Sequence, residues 1–182
     1  MNALFRTIIT AICAVILVKT VWAEAIHEEG ESGEVTATLK LLDKYAVDVN
    51  ARDQYGWTPL LYAVSAGNQD LVQALLARGA DVQGADNRGR SPIHEAADKN
   101  QLLIARLLIN RGANVNQGDA MRWTPLHLAA LKGHVQMVKL LMANGGDLGL
   151  KTSRGMTAIN LAKDHNHKPV VDLILDRMLA YK

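Results

Sequence analysis

From Asp53 onward the apolar and polar positions of the chain recur at one spacing. Asp53, Asp86, Asp119 and Thr152 stand 33 residues apart, and the segments they open align without gaps for most of their length. Five places into each segment is a hydroxyl residue (Thr58, Ser91, Thr124, Thr157), followed in three segments by Pro59, Pro92 and Pro125. Leu60, Ile93, Leu126 and Ile159 come next, with small pairs behind them at Ala96-Ala97 and Ala129-Ala130. The hydroxyl is read as an N-cap for an orphaned amide of the first turn, and proline fits the next place because that amide has no helical partner. Aliphatic runs at Leu75-Leu76, Leu107-Leu108 and Leu140-Leu141 then lead to Gly79, Gly112 and Gly145, which predict a second helix ended by a left-handed residue. Each segment is therefore turn, helix, turn, helix. Neither helix can bury its apolar face alone, so neighbouring segments must stack, and the alanine pairs let helices approach closely.

Departures from the period carry information of their own. Arg122 stands where the other segments have Gly56, Gly89 and Gly155. A non-glycine forced into the left-handed region costs about 1–2 kcal/mol, which points to local remodelling of that turn. Asn100 and Asn166 replace the glycine seen at Gly67 and Gly133, a mild change because asparagine tolerates the same conformation. Ala158 replaces the proline in the last segment, and Met178 replaces the terminal glycine, which lets the final helix run on toward Tyr181 and Lys182.

Asp86, Gly89, Ser91-Pro92-Ile93-His94 and Ala96-Ala97 with Gly112-Ala113, then Thr124-Pro125-Leu126-His127 with Ala129-Ala130 and Gly133-His134, resemble the ankyrin-repeat signature. The resemblance covers residues 53–182 well and residues 24–52 poorly. It implies an all-α ankyrin-repeat solenoid, helix pairs with β-hairpin-like fingers, of about five repeats including divergent caps. The expected organisation is a divergent N-terminal capping repeat at 24–52, repeats at 53–85, 86–118 and 119–151, and a C-terminal capping repeat at 152–182. The family's usual role is to hold partner proteins on the fingertips and the concave helix face.

The first two dozen residues differ from the rest. Arg6 precedes the uncharged stretch from Thr7 to Val18, and Lys19-Thr20-Val21-Trp22-Ala23 leads to Glu24, the first acidic residue. This is the layout of a secretory signal peptide over residues 1–23, cut after Ala23 or Ala25. The competing reading is an uncleaved anchor, but twelve residues of helix reach only about 18 Å against a hydrocarbon core of roughly 30 Å. Cys13, the only cysteine, would leave with the signal. Removing Arg6 and Lys19 from the 20 basic residues leaves 18 against 18 acidic, a neutral domain without the basic field that nucleic-acid binding needs. The sequence thus points to an exported protein, periplasmic in a Gram-negative bacterium and otherwise secreted.

Candidate chemistry is sparse. His94 and His127 stand at the third helical position after a hydroxyl cap, where a side chain reaches back as in a capping box. His134 starts a second helix, while His165, His167 and His27 are unexplained by the repeat. A two-histidine pair is too few ligands for zinc, and no HExxH, CxxC, phosphate loop or nucleophile elbow is present, so no metal, no cofactor and no enzymatic activity are expected. Glu28, Glu29, Glu31 and Glu34 read as a solvated acidic face.

The function expected from sequence is a non-catalytic protein-interaction module of the cell envelope, immunity-like, inhibitory or an accessory factor for an exported enzyme. A membrane-tethered scaffold is the alternative if the signal stays, and a metal-binding or enzymatic role through His165 and His167 ranks below both. Positions that the repeat leaves free to vary hold Gln54, Tyr55, Trp57, Asn87, Arg88, Arg90, Met121, Trp123, Arg154 and Met156 at the tips. Ser65, Ala66, Asp98, Lys99, Leu131 and Lys132 follow at the ends of the first helices. Trp57, Arg88, Arg90 and Trp123 are the expected anchors for one envelope protein partner of a monomeric array, since Trp and Arg most often carry interface energy. The other reading of the two tryptophans is packing on their own fingers.

Overall fold

The computed structural model describes residues 48–180 together with Val35, Lys40 and Leu42. Eight helices lie among the described residues 48–180: α1 (Pro59–Ala66), α2 (Gln69–Ala77), α3 (Pro92–Asp98), α4 (Leu102–Asn110), α5 (Pro125–Leu131), α6 (Val135–Ala143), α7 (Ala158–Asp164) and α8 (Lys168–Leu179). They fall into two compact units, Met1–Asn87 and Arg88–Lys182. The expected signal segment at 1–23 lies outside the described residues, as do most of the divergent repeat at 24–52 and the acidic cluster with His27.

In the first unit the chain forms one described helix pair. Thr58 Oγ1 accepts from the Leu61 amide at 3.2 Å, and Pro59 opens α1. Gly67, at φ +75°, ends the helix, and Asn68 Oδ1 caps α2 by accepting from the Leu71 amide at 2.9 Å. Leu60, Leu61 and Val64 from α1 and Leu71, Val72 and Leu75 from α2 are buried. Asn50 fastens the lead-in segment to the far end of the pair, donating to the Gly79 carbonyl and accepting from the Asp81 amide.

The second unit is a stack of three such pairs. First helices α3, α5 and α7 pack side by side, and second helices α4, α6 and α8 form the other layer. Ala96, Ala97, Ala129, Ala130 and Ala162 are fully buried where the first helices meet, so small side chains set the close approach that the sequence implied. Ile93, Leu108, Leu126, Met137 and Leu141 fill the space between layers. Asn116 repeats the work of Asn50, donating to the Gly145 carbonyl at 2.8 Å and accepting from the Asp147 amide at 2.8 Å. Gly112 and Gly145 end α4 and α6 in the left-handed region, and Asn100 and Asn166 occupy it without glycine at φ +56° and +58°.

The expected β-hairpin fingers are corrected by the structure: no strand occurs among the described residues. The fingers opening at Asp53, Asp119 and Thr152 are tight turns, each closed at its base by a backbone bond such as Asp119 N to Trp123 O at 2.8 Å, and adjacent fingers of the second unit share one bond each. Asp119 Oδ1 takes the amides of Met121 and Trp123, which in a hairpin would seek a ladder partner. The remodelling anticipated at Arg122 is also absent. Its amide donates to the Asp119 carbonyl at 2.8 Å, the same bond made by Gly155 to Thr152, and its φ is +59°.

The last repeat keeps the apolar identity of an interior one. Ile159 and Val171 are half-buried, where their equivalents Leu126 and Val138 are fully covered, and Leu175 is 40% exposed against 8% for Met142. Ending the chain at Lys151 removes α7 and α8 and uncovers Leu126, His127 and Val138. Because stability in a stack is the sum of its interfaces, that shortened chain is expected to melt below the full chain; equal melting temperatures in calorimetry would show that the last pair stabilises nothing.

Candidate partner-binding surface

The turns are built by their opening acidic or hydroxyl residues. In the first unit Asp53 Oδ1 accepts from the Tyr55 and Trp57 amides at 2.8 Å each, while Oδ2 takes the Tyr62 hydroxyl at 2.7 Å. Burial, reinforced by that carboxylate, pushes the Tyr62 phenol well above its ordinary pKa. Trp57 is half-buried with its ring 5.0 Å from Tyr62, so it packs on its own repeat, while Gln54 and Tyr55 project into solvent. Asn87 is fastened back to this tip, its amide to the Tyr55 carbonyl and its side chain to the Gln54 carbonyl, both at 3.0 Å. Ser65 is half-buried and Ala66 exposed at the end of α1.

In the second unit the turns lie edge to edge. The Ala120 amide donates to the Arg88 carbonyl at 2.8 Å, and the Ser153 amide donates to the Met121 carbonyl at 2.9 Å. These two bonds bring Arg88, Met121 and Arg154 onto one edge, all exposed, with Met121 at 50%. Trp123 and Met156 stand half-buried one step inward, and the Trp123 ring meets the His127 ring edge-on at 6.2 Å. Arg90 does not project: its guanidinium lies 3.5 Å from Glu95 and 3.3 Å from Asp98 on α3. Lys99 pairs with Glu95 at 3.4 Å, Leu131 is half-buried, and Lys132 is exposed at the end of α5. Arg122, which is not among the expected anchors, stands on the same turn as Met121 and Trp123. The signal was present as a non-glycine in a glycine place, with an exposed side chain between Met121 and Trp123.

The histidines serve the stack. The Ser91 amide and hydroxyl both approach His94 Nδ1, at 3.1 and 2.7 Å, so Nδ1 is an acceptor and Nε2 carries the proton that it donates to the Trp123 carbonyl at 3.0 Å. His127 does the same with Thr124 and donates to the Leu150 carbonyl at 3.0 Å. Both rings are buried and neutral, and desolvation lowers both pKa values against the opposing pull of the carbonyls. His134 and His167 reach the other way, with Nε2 on the Asp98 and Leu131 carbonyls at 3.1 and 2.8 Å. His165 lies parallel to His167 at 6.3 Å and bonds the Leu161 carbonyl through Nδ1. Among the described residues no group of three or more His, Cys, Asp or Glu is placed to hold a metal ion.

Comparison with known proteins agrees with this architecture. A family model described as ankyrin repeats (3 copies) matches residues 26–119, and another, ankyrin repeats (many copies), matches residues 108–162. Among curated proteins the chain is similar to ankyrin repeat, SAM and basic leucine zipper domain-containing protein 1. It is 51% identical to the protein from Callithrix jacchus over 49 residues, covering 27% of this chain and 10% of that one. Against the Homo sapiens protein it is 50% identical over 48 residues, 26% of this chain and 10% of that one. The chain thus spans about a tenth of the length of the curated relatives it matches.

These relatives correct the expectation of an envelope protein. They are primate proteins named for ankyrin repeats joined to SAM and basic leucine zipper domains, and none is named as an exported factor. The periplasmic or secreted location, the envelope partner, and the immunity-like, accessory-factor and membrane-tethered roles built on it are therefore set aside. Among the described residues no helix is long and apolar enough to cross a membrane.

The neutral, buried imidazoles make stability depend on pH. The folded pKa values of His94 and His127 lie below the ordinary 6.5, so as pH falls through that value the unfolded chain takes up protons first. Stability is expected to be complete above pH ~6.5 and to decline below it. His94→Asn retains an acceptor toward the cap, as Asn160 does for the Thr157 amide at 3.1 Å, but does not titrate. Its acid loss should be shallower in melting curves taken across pH, whereas His94→Ala should cost about 0.5–2 kcal/mol even at neutral pH. A variant whose acid profile overlays that of the parent would remove His94 as the source.

Proposed function

We propose, from the premise that this chain belongs to the ankyrin-repeat family, that it is a non-catalytic protein-interaction module whose second unit takes a partner along its turn edge. One observation carries the reading: the buried histidines His94 and His127 are committed to the stack, while the edge presents exposed Arg88, Met121 and Arg154 backed by half-buried Trp123 and Met156. Mixed guanidinium and apolar surface on a backbone held by cross-turn hydrogen bonds is the composition that interface anchors favour, and a rigid edge loses little entropy when a partner docks. Lys99, Leu131 and Lys132 at the ends of α3 and α5 extend the same proposal toward the helix face. In the first unit Gln54, Tyr55 and Trp57 form a separate tip, with Tyr55 56% exposed.

The anchors change weight once packing is known. Trp123 and Trp57 contribute chiefly by shaping the tips, because each leans on its own repeat, and Arg90 is held by Glu95 and Asp98. Met121 and Arg154 are the better probes. Partner capture from native extract, followed by alanine substitution, should show Met121→Ala and Arg154→Ala each weakening binding at least about fivefold, roughly 1 kcal/mol, at an unchanged melting temperature. Trp123→Ala should lower both binding and melting. Unaltered capture by both tip variants would place the partner site elsewhere.

A further inference from the structure

The second unit carries a row of cations along its turn edge. Arg88, Arg122 and Arg154 sit on three successive turns joined by the Ala120–Arg88 and Ser153–Met121 backbone bonds, and all three are exposed. Exposed Lys151 immediately precedes the last of these turns. Among the described residues Arg122, Lys151 and Arg154 have no ion-pair partner, whereas Arg90 and Lys99 are paired with Glu95 and Asp98. Asp119, the acidic residue of the central turn, has Oδ1 occupied by the amides of Met121 and Trp123. The positive charge of Arg122, Lys151 and Arg154 is therefore presented to solvent.

A second observation is independent of charge. Arg122 holds φ +59° in a turn whose counterparts place glycine at Gly56, Gly89 and Gly155, with φ from +77° to +80°. The Arg122 amide makes to Asp119 the bond that Gly56 makes to Asp53 and Gly155 to Thr152, so the arginine adds strain without adding a hydrogen bond to the turn. A strained residue with an exposed functional group, retained where glycine fits, points to use of that group. Flanking it are exposed Met121 and half-buried Trp123, which ask for apolar contact between the charges.

We infer that this edge is a docking strip for an extended protein segment in which carboxylates alternate with apolar side chains, the guanidiniums of Arg122 and Arg154 taking the carboxylates and Met121 with Trp123 the apolar groups. The inference rests on the protein-binding reading above and names the chemistry of the partner. Guanidinium meets carboxylate as a planar fork, which suits partner side chains presented at intervals along an extended backbone. A nucleic acid is the weaker fit: the whole chain carries only two more basic than acidic residues, and the apolar ground between the arginines offers nothing to phosphates.

Binding of a short peptide alternating glutamate and leucine, measured against its glutamine/leucine counterpart and a single-stranded oligonucleotide, tests the inference. The glutamate peptide should bind at low salt and weaken as salt rises, while the glutamine peptide binds at least about fivefold less well. Arg122→Gly should separate the two roles of that position: melting rises by a few degrees as strain is relieved, and peptide affinity falls at least about fivefold. Arg154→Glu should lower affinity with melting unchanged. Equal binding of the glutamine peptide, dependent on Met121, overturns the acidic partner while leaving the protein-binding reading intact. Preference for the oligonucleotide, or glutamate-peptide binding indifferent to Arg122→Gly and Arg154→Glu, also overturns it. If neither peptide binds and native capture ignores the tip substitutions, both readings fall.

Discussion

Every interface within the second unit is held by imidazoles that meet main-chain carbonyls of a neighbouring repeat, and the rest of the unit depends on that arrangement. A helix pair with one apolar stripe per helix cannot exclude water alone, so it must stack, and stacking buries the polar groups at the start of each first helix. Burying those groups without partners would cost about 1–3 kcal/mol apiece. His94 meets the requirement in both directions: Nδ1 accepts from the Ser91 cap, and Nε2 donates across the interface to the Trp123 carbonyl. From the other layer His134 reaches back to the Asp98 carbonyl. The next interface repeats the device, with His127 on Leu150 and His167 on Leu131. Opposed bonds of this kind fix both the lateral register of the repeats and the angle at which the turns leave the helices.

Because the His94 or His127 ring serves cap and interface together, its tautomer is not free to vary. A protonated ring would turn Nδ1 into a donor facing the Ser91 or Thr124 amide, and it would do so in a site from which water is excluded. The first described repeat solves the same position with Leu61, which is buried and needs no partner, and the last solves it with Asn160, which supplies only the reach toward the cap. Three solutions at one register position show what it demands: something to fill the space, something to satisfy the cap, and, between two repeats of the second unit, a donor for the facing carbonyl.

The period, the caps, the alanine contacts and the reach of His94 and His127 were legible in the sequence because each is local: a hydroxyl, a proline and a histidine within four residues determine their own geometry. The left-handed places at Asn100 and Asn166 were legible for the same reason. What could not be read depends on contacts across the chain. The fingers looked like hairpins until Asp119 was seen taking with its side chain the amides that a strand would share with a neighbour. Arg90 looked like a free anchor until Glu95 and Asp98 were found beside it, and the packing of Trp57 against Tyr62 needed the helix to be placed first. The compartment expected from the segment at 1–23 is corrected by relatives named for ankyrin repeats with SAM and basic leucine zipper domains, names that no residue pattern in the repeats could have supplied.

Arg122 shows why consistency between local preference and fold is a better guide than either alone. Local preference rejects the residue from the left-handed region by about 1–2 kcal/mol, and the expectation of a remodelled turn followed from that. The turn withstands it because four bonds already determine the backbone: Asp119 N to the Trp123 carbonyl, Arg122 N to the Asp119 carbonyl, and the Met121 and Trp123 amides to Asp119 Oδ1. Neighbouring turns add a bond on each side, from Ala120 to Arg88 and from Ser153 to Met121. A loop with a single closing bond would relax around such a residue and lose its direction. Here the strain stays in the residue while the backbone fixes the direction in which its side chain leaves the turn, so an edge made rigid by stacking can carry an exposed side chain that local preference alone would reject.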